Sequence, residues 1–273
     1  MKSNTVIGIL LGAICIFGAF VLEGGGFASL FMIPPIVIVL GGTLAATLAG
    51  TSFSMFLRIP KLMWISFKSP KSDIVHIIDQ LVEFNALVRR EGYLVLRDKI
   101  YNVEHNFFRK MLRLSMDGMT METISKIATS EMNYTTARHH EHIALFKKMA
   151  GYSPTMGIIG TVIGLITTLS SVTSNPAELI QHIATAFIAT LWGIFMANIV
   201  WLPIAERLHT LHNEEMKLMT LVLDGVTSMH AGVTSTVIRA ELVGVLPSNQ
   251  QDAVLTKPLP RVKIAPIHTT DVM

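Results

Sequence analysis

Hydroxyls set deep in otherwise apolar sequence are the groups in this chain best placed to do chemistry. Thr161 lies at the centre of GYSPTMGIIGTVIGLITTLS (residues 151–170), followed by Thr167 and Thr168, and Thr185 and Thr190 lie in IATAFIATLWGIF. A hydroxyl oxygen helps replace the water shell of a hard cation, whereas a proton needs only a hydrogen-bonded route. Gly157, Gly160 and Gly164 in the first stretch and Gly193 in the second are small enough for two helices to approach closely. Hydroxyls at matched depth on such helices predict a narrow polar seam. The competing expectation is local, since threonines in membrane helices often bond the carbonyl one turn back and do nothing else.

The composition shows what must hold such a seam. Of 273 residues, 51% are hydrophobic and 15% charged, which is far from a soluble profile and reads as a membrane protein. Four stretches, residues 5–22, 28–50, about 153–173 and 183–205, are long enough to cross a hydrocarbon core of about 30 Å as helices. The first lacks a clear small-residue cleavage site and reads as a retained helix. None of the four contains Asp, Glu, Lys, Arg or His. Ion-coupled proteins usually keep an ionisable group at depth, so a carboxylate for an ion path here has to come from another polypeptide.

Positive charge sets the orientation. Of the 22 Lys and Arg residues, 15 fall between Arg58 and Lys148, six follow the fourth stretch and one is Lys2. Basic segments stay in the cytoplasm, which puts both termini and the long central segment inside and leaves two short outer loops. The expected organisation is all-α: transmembrane helices 1 and 2 in 1–50, a helical cytoplasmic domain in 51–150, transmembrane helices 3 and 4 in 151–207, a cytoplasmic helix in 208–245 and a disordered tail in 246–273. In the central segment Ile74, Ile77, Ile78, Leu81 and Leu87 form one helical stripe. Breaks are expected at 68–73, with Ser72 capping the next helix, and at 116–120. The tail, rich in proline and polar residues, predicts disorder.

Other chemistries find little support. Cys15 is the single cysteine, so no disulfide forms within the chain. The formal charge of +3 makes nucleic acid a poor partner. His139, His140 and His142 lack the i, i+4 spacing of a helical metal site, so no metal is expected. No Gly-rich phosphate loop, nucleophile with its base, or catalytic carboxylate pair is present, and an enzyme is not expected.

Three motifs together resemble a known family. SPTMGIIGTVIGL (153–165), ATLWGIFMANIVWLPIAERL (189–208) and LVRREGYLVL (87–96) are similar to the MotA/PomA flagellar stator subunits, over roughly residues 1–235. The family belongs to the wider group that includes the TolQ and ExbB energisers, which typically have three spans rather than four. The resemblance implies a motor component of the bacterial inner membrane. In it, five copies surround two copies of a single-span MotB-like partner whose aspartate binds the translocated H+ or Na+, and the cytoplasmic domain pushes on the rotor protein FliG. No other cofactor is implied. The alternatives are a TolQ/ExbB-like energiser of another envelope machine and a membrane scaffold without ion flux.

The resemblance also assigns positions. Thr161 and Thr190, with Thr185 beside them, match the ion path, and threonine at 161 is similar to sodium-type members. Pro154 matches a proline thought to shape a bend, although Ser153-Pro154 also reads as a helix start with serine as cap. Pro203 matches a proline near the inner end of the fourth span, where the lost N–H predicts a kink. Arg89 and Arg90 match the basic rotor-facing position. The family's acidic residue eight positions on falls at Arg97, with Asp98 beside it but about 100° away if the run is helical.

Overall fold

The structure, a computed structural model, describes residues 4–67, 74–170 and 176–258. It is all-helical, with no strand among the described residues. In chain order the main helices are α1 (Asn4–Leu22), α2 (Ile33–Ala49), α3 (Ile59–Phe67), α4 (Ile74–Glu91), α5 (Asn106–Met116), α6 (Met121–Ser170), α7 (Pro176–Phe195), α8 (Leu202–His230), α9 (Ser235–Val243) and α10 (Ser248–Leu255). A π-helical stretch, Val37–Gly41, lies inside α2, and another, Met196–Trp201, joins α7 to α8. Three segments, Thr5–Leu22, Met121–Ser170 and Leu179–His230, contain windows long and apolar enough to cross a membrane, and Ile33–Ala49 is a shorter apolar helix.

The chain divides into two compact units, residues 1–70 with 137–212 and residues 71–136 with 213–273. The consecutive blocks expected from sequence are thus regrouped, because the segment after residue 212 folds with the central one.

In the first unit Phe17, Phe31, Trp192 and Phe195 cluster with ring centroids 4.8 to 5.8 Å apart, and the Trp192 indole donates to the Leu30 carbonyl at 2.7 Å. Such a ring cluster with one polar tip suits the edge of a bilayer. At a separate core, Ile59, Leu62, Phe146, Met149, Trp201, Ile204 and Leu208 are buried together. Outward, Ile7, Leu10, Leu11 and Ile14 of α1 are each more than half exposed, a surface that water would penalise and lipid would not.

In the second unit the expected stripe of α4 is the core: Ile77, Ile78, Leu81 and Leu87 are buried against Phe108, Leu112, Val222 and Leu242. The break at 116–120 is present, closed by Gly118 at φ +74°, while the one at 68–73, with Ser72, lies outside the described residues. The expectation of a disordered tail in 246–273 is not met in its first part, while residues 259–273 lie outside the described residues. Residues 248–255 of the tail form α10, which packs on α9 through buried Val254, and Arg239 donates to the Lys257 carbonyl. Pro247 precedes this helix rather than preventing structure, and Val254 is buried in the unit's apolar core together with Leu242, Val243 and Leu246.

Two half-buried histidines are expected to make this unit acid-sensitive. Burial holds His105 below its ordinary pKa, with Glu215 and Glu131 pulling the other way, and its buried Nδ1 has no hydrogen-bond partner among the described residues. His230, which meets the Ser115 hydroxyl at 3.0 Å, is likewise held down by burial. The unfolded chain therefore binds more protons than the folded one as pH drops below about 6.5, and stability falls with it. The melting temperature of the purified protein is expected to drop by a few degrees between pH 7 and 5.5. Substituting both histidines with asparagine should flatten that slope; an unchanged slope would place the acid sensitivity elsewhere.

Candidate functional site

The seam forms where α6 and α7 meet, and glycine sets its width. A Cβ built on Gly193 would sit 2.7 Å from the Ser153 carbonyl oxygen and 3.0 Å from Gly157 Cα; one on Gly157 would sit 2.9 Å from the Ala189 carbonyl oxygen. Further along, a Cβ on Gly160 or Gly164 would meet the methyls of Ala189 and Ala186 at 2.7 and 2.8 Å. Backbone thus lies against backbone for more than two turns.

That approach brings Thr161 and Thr190 together. Their hydroxyls are hydrogen-bonded to one another across the two helices. Thr161 Oγ1 also lies 3.0 Å from the Ala186 carbonyl on α7 and 3.1 Å from the Gly157 carbonyl on its own helix. Each hydroxyl has one proton. The arrangement that satisfies both has Thr190 donating to Thr161, and Thr161 donating to a carbonyl. Both side chains are half-buried, so the pair is a small polar patch in apolar stretches, residues 153–170 of α6 and 183–195 of α7, that contain no carboxylate.

Three other hydroxyls bond the carbonyl one turn back. Thr167 and Thr168 donate to the carbonyls of Ile163 and Gly164. Thr185 donates to the Gln181 carbonyl at 2.8 Å and touches the Met32 sulfur. It does not join the pair; it lines a separate cavity of about 350 Å³ with Pro34, Ile38, Gly164 and His182.

Ser153 corrects the sequence reading. It does not start a helix: α6 runs unbroken through it, with Pro154 inside. Fully buried, its hydroxyl accepts from the Trp201 indole at 2.9 Å and shares a 3.1 Å bond with the buried Thr43 hydroxyl of α2. One hydroxyl therefore ties α2, α6 and the π-helical stretch together. Thr47 on α2 and Thr51 just past its end continue the row, each donating to the carbonyl four residues back. Sequence reasoning passed over this cluster; its only signal was the Thr43, Thr47, Thr51 spacing. Ser153→Ala is expected to leave a buried indole N–H and hydroxyl without a partner, at about 1–3 kcal/mol. Thermal unfolding of the detergent-solubilised protein measures this, and a loss under about 0.5 kcal/mol would mean that the hub is dispensable.

Pro203 lies one residue past the start of α8, directly after the π-helical stretch. Proline cannot donate to the carbonyl four residues back, and the structure places it beside a π-helical stretch, a local irregularity of the kind that accompanies kinks.

The basic positions lie in the second unit. Arg89 and Arg90 are exposed in the last turn of α4. The helix ends there because Gly92 has φ +79°, a left-handed conformation that favours glycine. Tyr93–Leu96 is a 3-10 turn, and Arg97 and Asp98 are exposed in the turn beyond. The expectation that Asp98 stands about 100° from Arg97 on a helix therefore does not hold. Lys99 pairs with Glu83 at 3.2 Å; among the described residues no ion pair engages Arg89, Arg90, Arg97 or Asp98. In the first unit His139 stacks on His142 with ring centroids 6.2 Å apart and also meets His212, Nδ1 to Nδ1 at 3.3 Å, a partner 73 residues away that no local spacing reveals.

Comparison with known proteins places this geometry. The family model "MotA/TolQ/ExbB proton channel family" matches residues 99–220, and that described as "Motility protein A N-terminal" matches residues 6–92. Motility protein A of Bacillus subtilis is 34% identical over 252 residues, covering 92% of this chain and 93% of that one. Motility protein A of Cereibacter sphaeroides is 32% identical, with 89% and 94% covered. The flagellar MotAB stator complex of Bacillus subtilis contains a chain of the same fold, with a TM-score of 0.87, 33% identity and coverage of 92% of this chain and 98% of that one.

Proposed function

From the premise that this chain belongs to the motility protein A family, we propose that it is the ion-channel subunit of a flagellar motor stator, embedded in the membrane and working with a MotB-like partner. The observation that carries the reading is the Thr161–Thr190 pair. It is a cross-helix polar patch in segments that contain no carboxylate of their own, so it contributes oxygens to a cation path but not the charge that binds the cation. The partner's membrane aspartate supplies that charge.

Assembly follows from an uncovered face. Ile158, Val162, Leu165, Ile166 and Leu169 of α6 are 42 to 75% exposed, a continuous apolar strip beside the hydroxyl pair. In a pentamer of this chain around two partner helices, that strip is covered by the partner and by neighbouring copies. Four spans place both termini and the second unit on the cytoplasmic side of the inner membrane. There Arg89, Arg90 and Arg97 present positive charge to acidic residues of the rotor protein FliG. Exposed charges of this kind steer association and contribute little to folding.

Swimming speed of cells relying on this subunit and its cognate partner tests the proposal, with external sodium varied at fixed pH and a protonophore added. Speed that depends on sodium or on the proton gradient supports it and identifies the ion. Motility that does not depend on the gene at all would overturn it in favour of an energiser of another envelope machine.

A further inference from the structure

A second site lies at the other side of the first unit, between the start of α1 and the start of α8. There Thr5, Gly8, Ile9, Ile199, Pro203, Glu206, Arg207 and Thr210 enclose a groove of about 470 Å³. Its origin is steric. At Gly12 α1 touches the π-helical stretch that leads into α8, for a Cβ there would meet Ile199 Cδ1 at 3.0 Å, whereas Gly8, one turn earlier, has nothing within 4 Å of the same position. The gap thus opens toward the end of α1 where apolar sequence gives way to charge.

The groove is two-faced. Gly8, Ile9, Ile199 and Pro203 make an apolar wall continuous with the exposed Ile7, Leu10 and Leu11 of α1. The mouth holds a carboxylate and a guanidinium on adjacent residues, Glu206 and Arg207, with the hydroxyls of Thr5 and Thr210. Glu206 is only loosely paired, since Lys147 stands 3.8 Å from Oε1 and both side chains are more than half exposed, a geometry of small energetic weight. Thr210 already spends its proton on the Glu206 carbonyl at 3.0 Å, so its oxygen is left to accept.

A ligand that fits must have an apolar tail, an anion and a hydrogen-bonding cation a short distance apart. We propose that this groove binds a phospholipid whose headgroup carries a primary ammonium, of the phosphoethanolamine type. Its phosphate accepts from Arg207 and the Thr5 hydroxyl, its ammonium donates to Glu206 and Thr210, and the first methylenes of one acyl chain lie along Gly8, Ile9 and Ile199. A choline head has the same charge but no N–H to donate, and a glycerol head places no cation at Glu206. Charge-assisted hydrogen bonds give the discrimination, and the volume suits a headgroup with the top of its chains.

The test uses the full-length protein purified in mild detergent and equilibrated with equimolar palmitoyl-oleoyl phosphatidylethanolamine, phosphatidylcholine and phosphatidylglycerol, with retained lipid counted by native mass spectrometry. Phosphatidylethanolamine is expected to be retained over the other two by roughly tenfold. Glu206→Gln should bring it level with phosphatidylcholine, and Arg207→Gln should lower retention of all three while the protein's melting temperature stays within a few degrees of the parent. Retention in the proportions supplied, preference for phosphatidylglycerol, no retained lipid, or a preference untouched by Glu206→Gln would each overturn the assignment.

Discussion

Gly193→Ala is expected to destabilise the protein by about 1–3 kcal/mol, and Gly193→Val to abolish its assembly with the partner. The reason is the identity of the atoms in the way. An added Cβ would lie 2.7 Å from the Ser153 carbonyl and 3.0 Å from Gly157 Cα, and backbone cannot rotate aside as a side chain can. Relief requires α6 and α7 to part, which pulls Thr161 from Thr190 and the Ala186 carbonyl, and strains Ser153, whose hydroxyl ties in Trp201 and Thr43. Gly18→Ala is the control, because nothing lies within 4 Å of a Cβ there. Thermal unfolding in detergent and co-purification of the partner read the effect. Equal behaviour of Gly193→Ala and Gly18→Ala would mean that the helices are not held in backbone contact.

The second large effect separates packing from conduction. Thr161→Val or Thr190→Val alone leaves one half-buried hydroxyl facing a methyl, at about 1–2 kcal/mol, whereas the double substitution removes both partners while keeping their shape and should cost less than the sum of the singles. Ion flux is expected to follow the opposite order, lowest in the double variant because no hydroxyl is left to replace the cation's water. Stability from unfolding curves and swimming speed in the same strains give the two readouts. If the double variant swims at parental speed, the pair is a packing device and the path lies elsewhere.

The parts of this protein that were legible in its sequence share one property: they depend on residues near each other along the chain. Hydropathy over about 20 residues marks apolar helices whatever they pack on, and a 3.6-residue period marked Ile77, Ile78, Leu81 and Leu87 as core. The pairing of Thr161 with Thr190 was also within reach, since two small-residue helices of matched depth have few other ways to meet. The motif resemblance led to the family that the comparisons then showed.

What only the tertiary structure decided depends on residues far apart or on backbone angles. Ser153 read as a helix cap because serine before proline usually is one; it is a buried hub because Thr43 and Trp201, 110 residues before it and 48 after it, converge on its hydroxyl. Thr185 resembled Thr190 in composition of surroundings, yet it turns back to its own helix. Arg97 and Asp98 looked like part of a helix until Gly92 took a positive φ and ended it. The tail read as disordered on composition, yet Ser248–Leu255 is a helix that buries Val254 in the second unit's core. Local pattern therefore determined the class of protein, its apolar helices and the seam that two of them form. Convergence of distant groups, which no spacing along the chain encodes, decided which hydroxyls face each other across helices, which bond the carbonyl one turn back, and where a groove with a charged mouth is left open.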